Sequence, residues 1–177
     1  MTVSENCNTE VTLEIQENLN LAEAFDSLRK CEQMTHLVIQ ISENKKGWVV
    51  FSNIQGVTDS QSAYSYHSSI SELPKELGTL VQLTSLDISY LGITTLPESI
   101  AMLVNLKSLN MGFNNIIIEN ETANLDKLLN LEILKIYGCV FNENDLARLK
   151  QNKPNLKIYY SERDLIQEIK EKTKQKK

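Results

Sequence analysis

The sequence repeats itself at intervals of 23 and 25 residues, and this self-similarity constrains the fold more than any other feature. Segments 83–93, 106–116 and 131–141 share one spacing of apolar positions: a leucine, a second leucine three residues later, and isoleucine or methionine two residues after that. A degenerate fourth unit runs from Leu156 through Tyr159. A chain with such a period is expected to stack similar units, each packed against its neighbours.

The alternation inside each unit predicts a short strand, because residues two apart point to the same side of a strand. A single strand of this kind cannot bury its apolar side, so the strands are expected to stack in parallel around one continuous core. Pro74 and Pro97 each open a segment with apolar residues at every third position. Proline suits the first turn of a helix, and these segments therefore predict a short helix or 3-10 turn on the return path.

The repeats follow the pattern LxxLxLxx(N/C)xL, which resembles the leucine-rich repeat family over residues 70–160. Asn114 and Cys139 lie at the position that this family fills with asparagine or cysteine, whereas Leu91 departs from it. The resemblance implies an α/β fold, a leucine-rich-repeat solenoid with short parallel strands on the concave face and helices or 3-10 turns on the convex face. It also implies that the strand face binds a protein partner.

The remaining segments are expected to complete this solenoid. Leu37 and Ile39 repeat the alternation of Leu13 and Ile15 at an offset of 24, which indicates degenerate first repeats. The turn signal before Trp48 and the apolar run after it indicate a hairpin. Four parts are therefore predicted: residues 1–42, an N-terminal cap with degenerate first repeats; 43–59, a hairpin-like insertion; 60–160, the leucine-rich repeats; and 161–177, a C-terminal capping helix with a basic tail.

Outward positions of successive strands should form columns of touching side chains, since neighbouring strands lie about 4.8 Å apart. One predicted column contains Tyr64, Asp87, Asn110, Lys135 and Tyr160. Aromatic residues make up only 6% of the chain, yet many fall on this predicted face. They either form a binding patch or shield one another and the strand backbone from water. The predicted partner-binding residues are Tyr64, Tyr66, His67, Asp87, Tyr90, Asn110, Phe113, Lys135 and Tyr137.

The strand around Tyr64 can be placed in two registers. Counting back 23 residues from the Leu96–Pro97 pair aligns Leu73–Pro74 with it and makes Tyr64 and Tyr66 outward. A slip of one residue would bury both tyrosines instead. The first register is preferred because the two Leu-Pro pairs anchor it.

Composition and motifs restrict the function. The chain of 177 residues has a net charge of −5, which disfavours nucleic acid as a partner, and a terminal run from Lys170 is the basic exception. The odd number of cysteines without a signal peptide predicts reduced thiols and a cytoplasmic protein. No metal, phosphate-loop or nucleophile motif is present, so we expect no catalytic residue, no cofactor, no metal, no small-molecule substrate and no membrane partner.

Three classes of function stay open at this point. The first is a non-catalytic module that binds a protein, either as an immunity or inhibitor protein that neutralises a cognate toxin or effector, or as an adaptor between cellular proteins. The second is an enzyme, which is disfavoured because no catalytic constellation is recognisable. The third is a structural or regulatory scaffold. Fold alone does not choose among them.

Overall fold

A computed structural model describes residues 9–15, 19–41, 48–51, 63–66 and 70–175. Its larger sheet is parallel and has six strands, whose spatial order is the same as their order along the chain. These strands are β1 (Glu10–Ile15), β2 (His36–Ile41), β5 (Ser85–Asp87), β6 (Ser108–Asn110), β7 (Ile133–Lys135) and β8 (Lys157–Tyr159). A separate antiparallel sheet pairs β3 (Trp48–Phe51) with β4 (Ala63–Tyr66).

The return path between strands begins as 3-10 helix and later becomes α-helix. Lys75–Thr79 and Glu98–Met102 are 3-10 helices, and each follows a proline in an extended conformation, as predicted. Later repeats use longer helices, α2 (Ile118–Lys127) and α3 (Glu143–Asn152). Parallel strands on one side and helical return legs on the other make an α/β solenoid, which confirms the predicted fold class.

The core lies between the strands and the return legs. Leu86, Leu109 and Leu134 occupy the inward position of successive strands and are fully buried or 1% exposed. Their neighbours in sequence, such as Ser108 and Asn110, are half-buried on the opposite side of the sheet. Burying each leucine contributes about 1.5–3 kcal/mol, so the alternation predicted from the sequence fixes which face of the sheet is the core.

The first repeats form the N-terminal end of the sheet, in a register that differs from the predicted one. Leu13 pairs with Ile39, an offset of 26 residues, whereas the sequence alignment had paired Leu13 with Leu37 at an offset of 24. The expected burial of these side chains is nevertheless correct. A slip of two residues leaves every side chain on the same face, so hydrophobic alternation cannot distinguish the two registers.

Helix α1 (Leu21–Leu28) covers this end of the core. Its first turn is capped by the side chain of Asn20, which accepts hydrogen bonds from the backbone N–H groups of Ala22 and Glu23. Phe25 and Leu28 are fully buried, and the helix packs against the first 3-10 helix. The segment therefore connects the N-terminal repeats to the regular ones.

The strand containing Tyr64 does not join the solenoid sheet, and its predicted place among the repeat strands is wrong. Tyr64 in β4 pairs with Val50 in β3, while β2 pairs directly with β5. Both sequence registers assumed a parallel neighbour for this strand. The strand expected at Trp48–Phe51 is confirmed, and its antiparallel partner extends beyond the predicted end of the insertion at residue 59. The other boundaries of the four predicted parts stay predictions.

The last repeat has one residue fewer between its first leucine and the inward position of its strand, which corrects the predicted column ending at Tyr160. Leu134 follows Leu131 by three residues, whereas the corresponding Ile158 follows Leu156 by only two. As a result Tyr159 pairs with Lys135. Tyr160 instead lies beyond the strand, with its ring edge-on to Phe141 at a centroid distance of 5.4 Å.

Helix α4 (Glu162–Gln175) follows the last strand and lies within the C-terminal helical segment predicted at 161–177. The Ser161 hydroxyl accepts from the backbone N–H of Asp164, and Asp164 Oδ2 accepts in turn from the hydroxyl and backbone N–H of Ser161. Burial acts to raise the pKa of Asp164, but these hydrogen bonds and the charge of Arg163 outweigh it and leave the pKa lower than usual. That α4 closes the last repeat stays a prediction.

The two cysteines among the described residues differ in state, and this corrects the expectation that all thiols are reduced. Cys139 is free and buried, whereas Cys31 is disulfide-bonded. Its bonding partner therefore lies outside the described residues, as does the third cysteine of the sequence, Cys7.

Candidate protein-interaction face

The outward side chains of the six-stranded sheet form a surface that we call the strand face. Strand register arranges these side chains in two rows that cross all six strands. The first row consists of Glu10, His36, Ser85, Ser108, Ile133 and Lys157. The second row consists of Thr12, Val38, Asp87, Asn110, Lys135 and Tyr159. All twelve are half-buried or exposed, so the rows are accessible in the part of the chain that the structure describes.

A hydrogen-bonded network fixes the polar centre of the second row. Asp87 Oδ1 accepts from the hydroxyl and backbone N–H of Ser89 at 2.6 and 3.0 Å, and Asp87 Oδ2 accepts from Asn110 Nδ2 at 2.8 Å. Asn110 Oδ1 accepts from the backbone N–H of Gly112 at 3.2 Å. The predicted site residues Asp87 and Asn110 thus meet across neighbouring strands, and their rotamers are set before any partner arrives.

Lys135 continues the same row on the next strand, beside Asn110. It is half-buried and has an interaction partner of its own. Two strand spacings, about 10 Å, separate it from Asp87. The row therefore carries an acidic group and a basic group at different points along the solenoid.

The predicted aromatic patch forms a stacked cluster, which we call the aromatic cluster, of Tyr90, Phe113, Tyr137 and Tyr159. The rings of Tyr90 and Phe113 are parallel, with centroids 4.3 Å apart, and Phe113 lies 6.1 Å from Tyr137 on its other side. Phe113 is 9% exposed and Tyr137 is 5% exposed. The expectation that these two rings face solvent is wrong, because each ring covers its neighbour. Mutual shielding accounts for their packing.

Two members of the aromatic cluster have unusual backbone conformations. Tyr90 has φ = 61° and Phe113 has φ = 57°, in the left-handed region that favours glycine. The corresponding position in the next repeat is Gly138, with φ = 67°. Three successive repeats therefore turn in the same left-handed conformation after their strands, and at two of them a non-glycine residue tolerates it at a cost of about 1–2 kcal/mol. Ring stacking offsets part of that cost.

Strand pairing does not bring the other predicted tyrosines into this surface. Tyr64 and Tyr66 belong to β4, which lies in the separate antiparallel sheet, so strand pairing does not make them neighbours of Asp87. His67 lies outside the described residues. Of the nine predicted residues, the sheet register and the aromatic cluster together unite six: Asp87, Tyr90, Asn110, Phe113, Lys135 and Tyr137.

Buried polar groups tie successive repeats together beneath the strand face. Asn114, 1% exposed, donates to the carbonyls of Ile88 and Met111 and accepts from the backbone N–H of Leu91. Cys139, at the same repeat position, donates its thiol to the Met111 carbonyl at 3.3 Å. Burial raises the pKa of the Cys139 thiol to about 12, so it stays protonated and serves packing.

A buried carboxylate that sequence reasoning missed performs a similar role on the helical side. Glu121 is 1% exposed, and its Oε1 accepts from the Thr95 hydroxyl at 2.6 Å and from the Leu96 backbone N–H at 3.1 Å. Its Oε2 accepts from Asn124 Nδ2 at 3.0 Å. A signal was present: Glu121 lies three residues after Ile118 and four before Leu125, on the apolar face of α2.

Sequence analysis also missed an exposed apolar row in the turns that precede the strands. Val81, Val104 and Leu129 occupy equivalent positions in three repeats and are 46%, 49% and 79% exposed. The side chains of Asn105 and Asn130 donate to the carbonyls of Val81 and Val104, which fixes these turns. The sequence contained a signal for this row: an apolar residue lies two positions before the leucine that ends each of these three return legs.

The described residues offer neither a cluster of metal ligands nor a membrane-spanning helix. They contain no group of three or more histidine, cysteine, aspartate or glutamate side chains arranged to hold a metal ion. Within the described ranges, no helix combines the length and the apolar character needed to cross a membrane.

No protein-family model matches the chain, and no curated protein was found to be similar to it. Among solved structures, a leucine-rich-repeat protein of Leptospira interrogans has 17% identity and a TM-score of 0.46, over 82% of this chain and 36% of its own. Internalin F of Listeria monocytogenes has 17% identity and a TM-score of 0.49, over 87% of this chain and 44% of its own. Internalin C2 of the same organism has 20% identity and a TM-score of 0.47, over 86% of this chain and 58% of its own.

The chain spans less than two thirds of the length of each of these structures. The repeat architecture is visible in the chain itself. Its LxxLxLxx(N/C)xL segments form adjacent parallel strands in register, and Asn114 hydrogen-bonds from inside one repeat to the backbone of the previous one. These features give the chain the fold of a leucine-rich-repeat solenoid.

Proposed function

We propose that this chain is a non-catalytic module that binds a protein partner through its strand face. The observation that carries the proposal is the pair of rows across the six strands, in which accessible polar side chains lie on a rigid parallel sheet. The network of Asp87, Ser89 and Asn110 pre-orients hydrogen-bonding groups, which reduces the entropy lost on binding.

The aromatic cluster contributes to this site in a different way from the one expected. Because Phe113 and Tyr137 are nearly buried, they support the surface, and only the half-buried Tyr90 and Tyr159 are left to offer contact area. The side chains in contact with the partner are therefore proposed to be mainly Asp87, Asn110, Lys135 and the residues of the first row.

The strand face can be tested by blocking it. Ser85→Arg and Ser108→Arg each place a long side chain on the first row, while Met102→Arg changes a residue of the second 3-10 helix that is 58% exposed. The test uses a photo-crosslinking amino acid at position 110 and a lysate of the source organism. We expect a discrete crosslinked protein that disappears in the two serine variants and persists in Met102→Arg. Equal crosslinking in all three variants would remove the strand face as the site.

A finer version of the proposal is that the partner is a cognate toxin or effector, which this chain inhibits. The compact repeat unit and the net charge of −5 support this version, since an acidic protein associates rapidly with a basic enzyme. Its test is protection: co-expression of this chain should relieve the growth defect caused by the crosslinked partner, and Ser108→Arg should abolish the relief. The cytoplasmic location stays a prediction.

A further inference from the structure

The strand face is long and narrow. Five spacings between six strands amount to about 24 Å along the solenoid. Strands β5, β6, β7 and β8 have three residues each, or about 10 Å, so the other dimension is less than half as large. A strip of this shape offers far less area than the roughly 800 Å² that each partner buries in a typical complex of globular proteins. It matches an extended segment of about seven residues lying across the strands.

Charge is distributed unevenly along this strip. Its β1 end presents Glu10 and Glu14, both exposed, and the first row ends at the opposite edge with exposed Lys157. Lys135 on β7 adds a second positive charge near that edge. Between the ends, Ser85 and Ser108 carry no charge, so the two signs do not neutralise each other locally.

In the part of the chain that the structure describes, the other charges near the strip leave this polarity in place. Asp87 keeps its negative charge, because its hydrogen-bond donors Ser89 and Asn110 are neutral, and it lies on β5, in the half of the strip nearer to β1. Lys107 and Glu132, just before β6 and β7, form an exposed ion pair at 3.6 Å and cancel in sum. The strand face therefore has an acidic end at β1 and a basic end at β7 and β8.

Building on the proposed function, we propose that the strand face binds an extended, bipolar peptide segment of the partner. Its basic residues lie over Glu10 and Glu14, and its acidic residues lie over Lys135 and Lys157. The central serines and Asn110 supply hydrogen bonds to the peptide between them. A segment placed the other way round would bring like charges together at both ends, so the polarity of the strip selects one orientation.

The test uses the full chain, immobilised, and a phage-displayed library of random heptapeptides. We expect enriched peptides to carry Lys or Arg towards one terminus and Asp or Glu towards the other. Lys135→Glu with Lys157→Glu should shift enrichment towards peptides that are basic throughout, and Glu10→Lys with Glu14→Lys should shift it towards acidic ones. Lys150→Glu, an exposed change on α3, is the matched control and should leave the bipolar pattern unchanged.

Affinity measurements with one synthetic enriched peptide complete the test. The dissociation constant of this peptide should rise at least about tenfold in the variant that combines Lys135→Glu with Lys157→Glu. It should rise less than about twofold in Lys150→Glu. Lys135 is half-buried, so circular dichroism is used to check that Lys135→Glu still folds. If it does not fold, Lys157→Glu alone replaces the double variant in the affinity measurement. No enrichment, enrichment without polarity, or indifference to charge reversal would overturn the inference. If charge reversal has no effect but Ser108→Arg still abolishes crosslinking of the partner, the bipolar segment is wrong and the proposed function stands.

Discussion

The ring of Phe113 stacks on that of Tyr90, with centroids 4.3 Å apart and ring planes inclined by 9°, and both residues have a positive φ. Two aromatic side chains are thus fixed on backbone turns where glycine is favoured. The stack belongs to the stability of the solenoid more than to the contact surface of a partner, because Phe113 is only 9% exposed.

The first prediction separates the ring of Phe113 from its backbone. Phe113→Ala should lower the free energy of unfolding by about 3 kcal/mol, because the ring leaves a cavity between Tyr90 and Tyr137. Phe113→Gly should be at least as stable as Phe113→Ala, since glycine adopts φ = 57° without strain. The measurement is chemical denaturation. At Leu109, in a regular strand, the order should reverse, with glycine less stable than alanine; the same order at both positions would contradict the assigned conformation.

A second prediction compares two neighbours on opposite faces of β6. Leu109→Ala should cost about 2–5 kcal/mol, because Leu109 is fully buried between two repeats. Asn110→Ala should cost about 1 kcal/mol, more than a solvated residue would, since it removes the hydrogen bond to Asp87 and leaves the Gly112 N–H without its acceptor. Denaturant midpoints of the two variants provide the comparison. Equal losses would mean that the assignment of faces is wrong.

Buried Glu121 provides the third prediction. Glu121→Ala removes the acceptor of Thr95 and Leu96 and should lower the free energy of unfolding by about 2–4 kcal/mol. Glu119→Ala, an exposed change in the first turn of the same helix, should stay within about 0.5 kcal/mol. Thermal unfolding of both variants tests this. A stable Glu121→Ala variant would show that the carboxylate does not tie α2 to the preceding repeat.

The fourth prediction concerns pH and helix α4. The pKa of Asp164 is lowered in the folded chain, so its contribution to stability is complete above its ordinary pKa of 3.8 and is lost as the pH falls through the lower folded value. Amide hydrogen exchange in the first turns of α4 should therefore accelerate on acidification in that range, beyond what other helices show. Asp164→Asn should abolish this extra pH dependence while weakening the helix at neutral pH. The same acid response with asparagine would exclude Asp164 as its source.

The repeat spacing alone predicted the architecture, and the structure explains why it sufficed. Leu86, Leu109 and Leu134 recur where a strand must turn an apolar side to the core, and the Leu-Pro pairs at Pro74 and Pro97 mark the start of the return legs. These patterns are local and recur in each repeat. A correct assignment of strand and return leg in one repeat therefore applies to its neighbours as well. Asp87, Asn110 and Lys135 were aligned correctly for the same reason.

The sequence by itself determined which side of each repeat is buried, because alternation with period two fixes the face of a strand. It did not determine which strand lies next to which, or in what register, since a slip of two residues between β1 and β2 preserves every face. Only tertiary structure paired Tyr64 with Val50, turned the backbone of Tyr90 and Phe113 into the left-handed region, and buried Glu121 against Thr95. These outcomes depend on contacts between residues distant in sequence, whose relative free energies no local pattern contains.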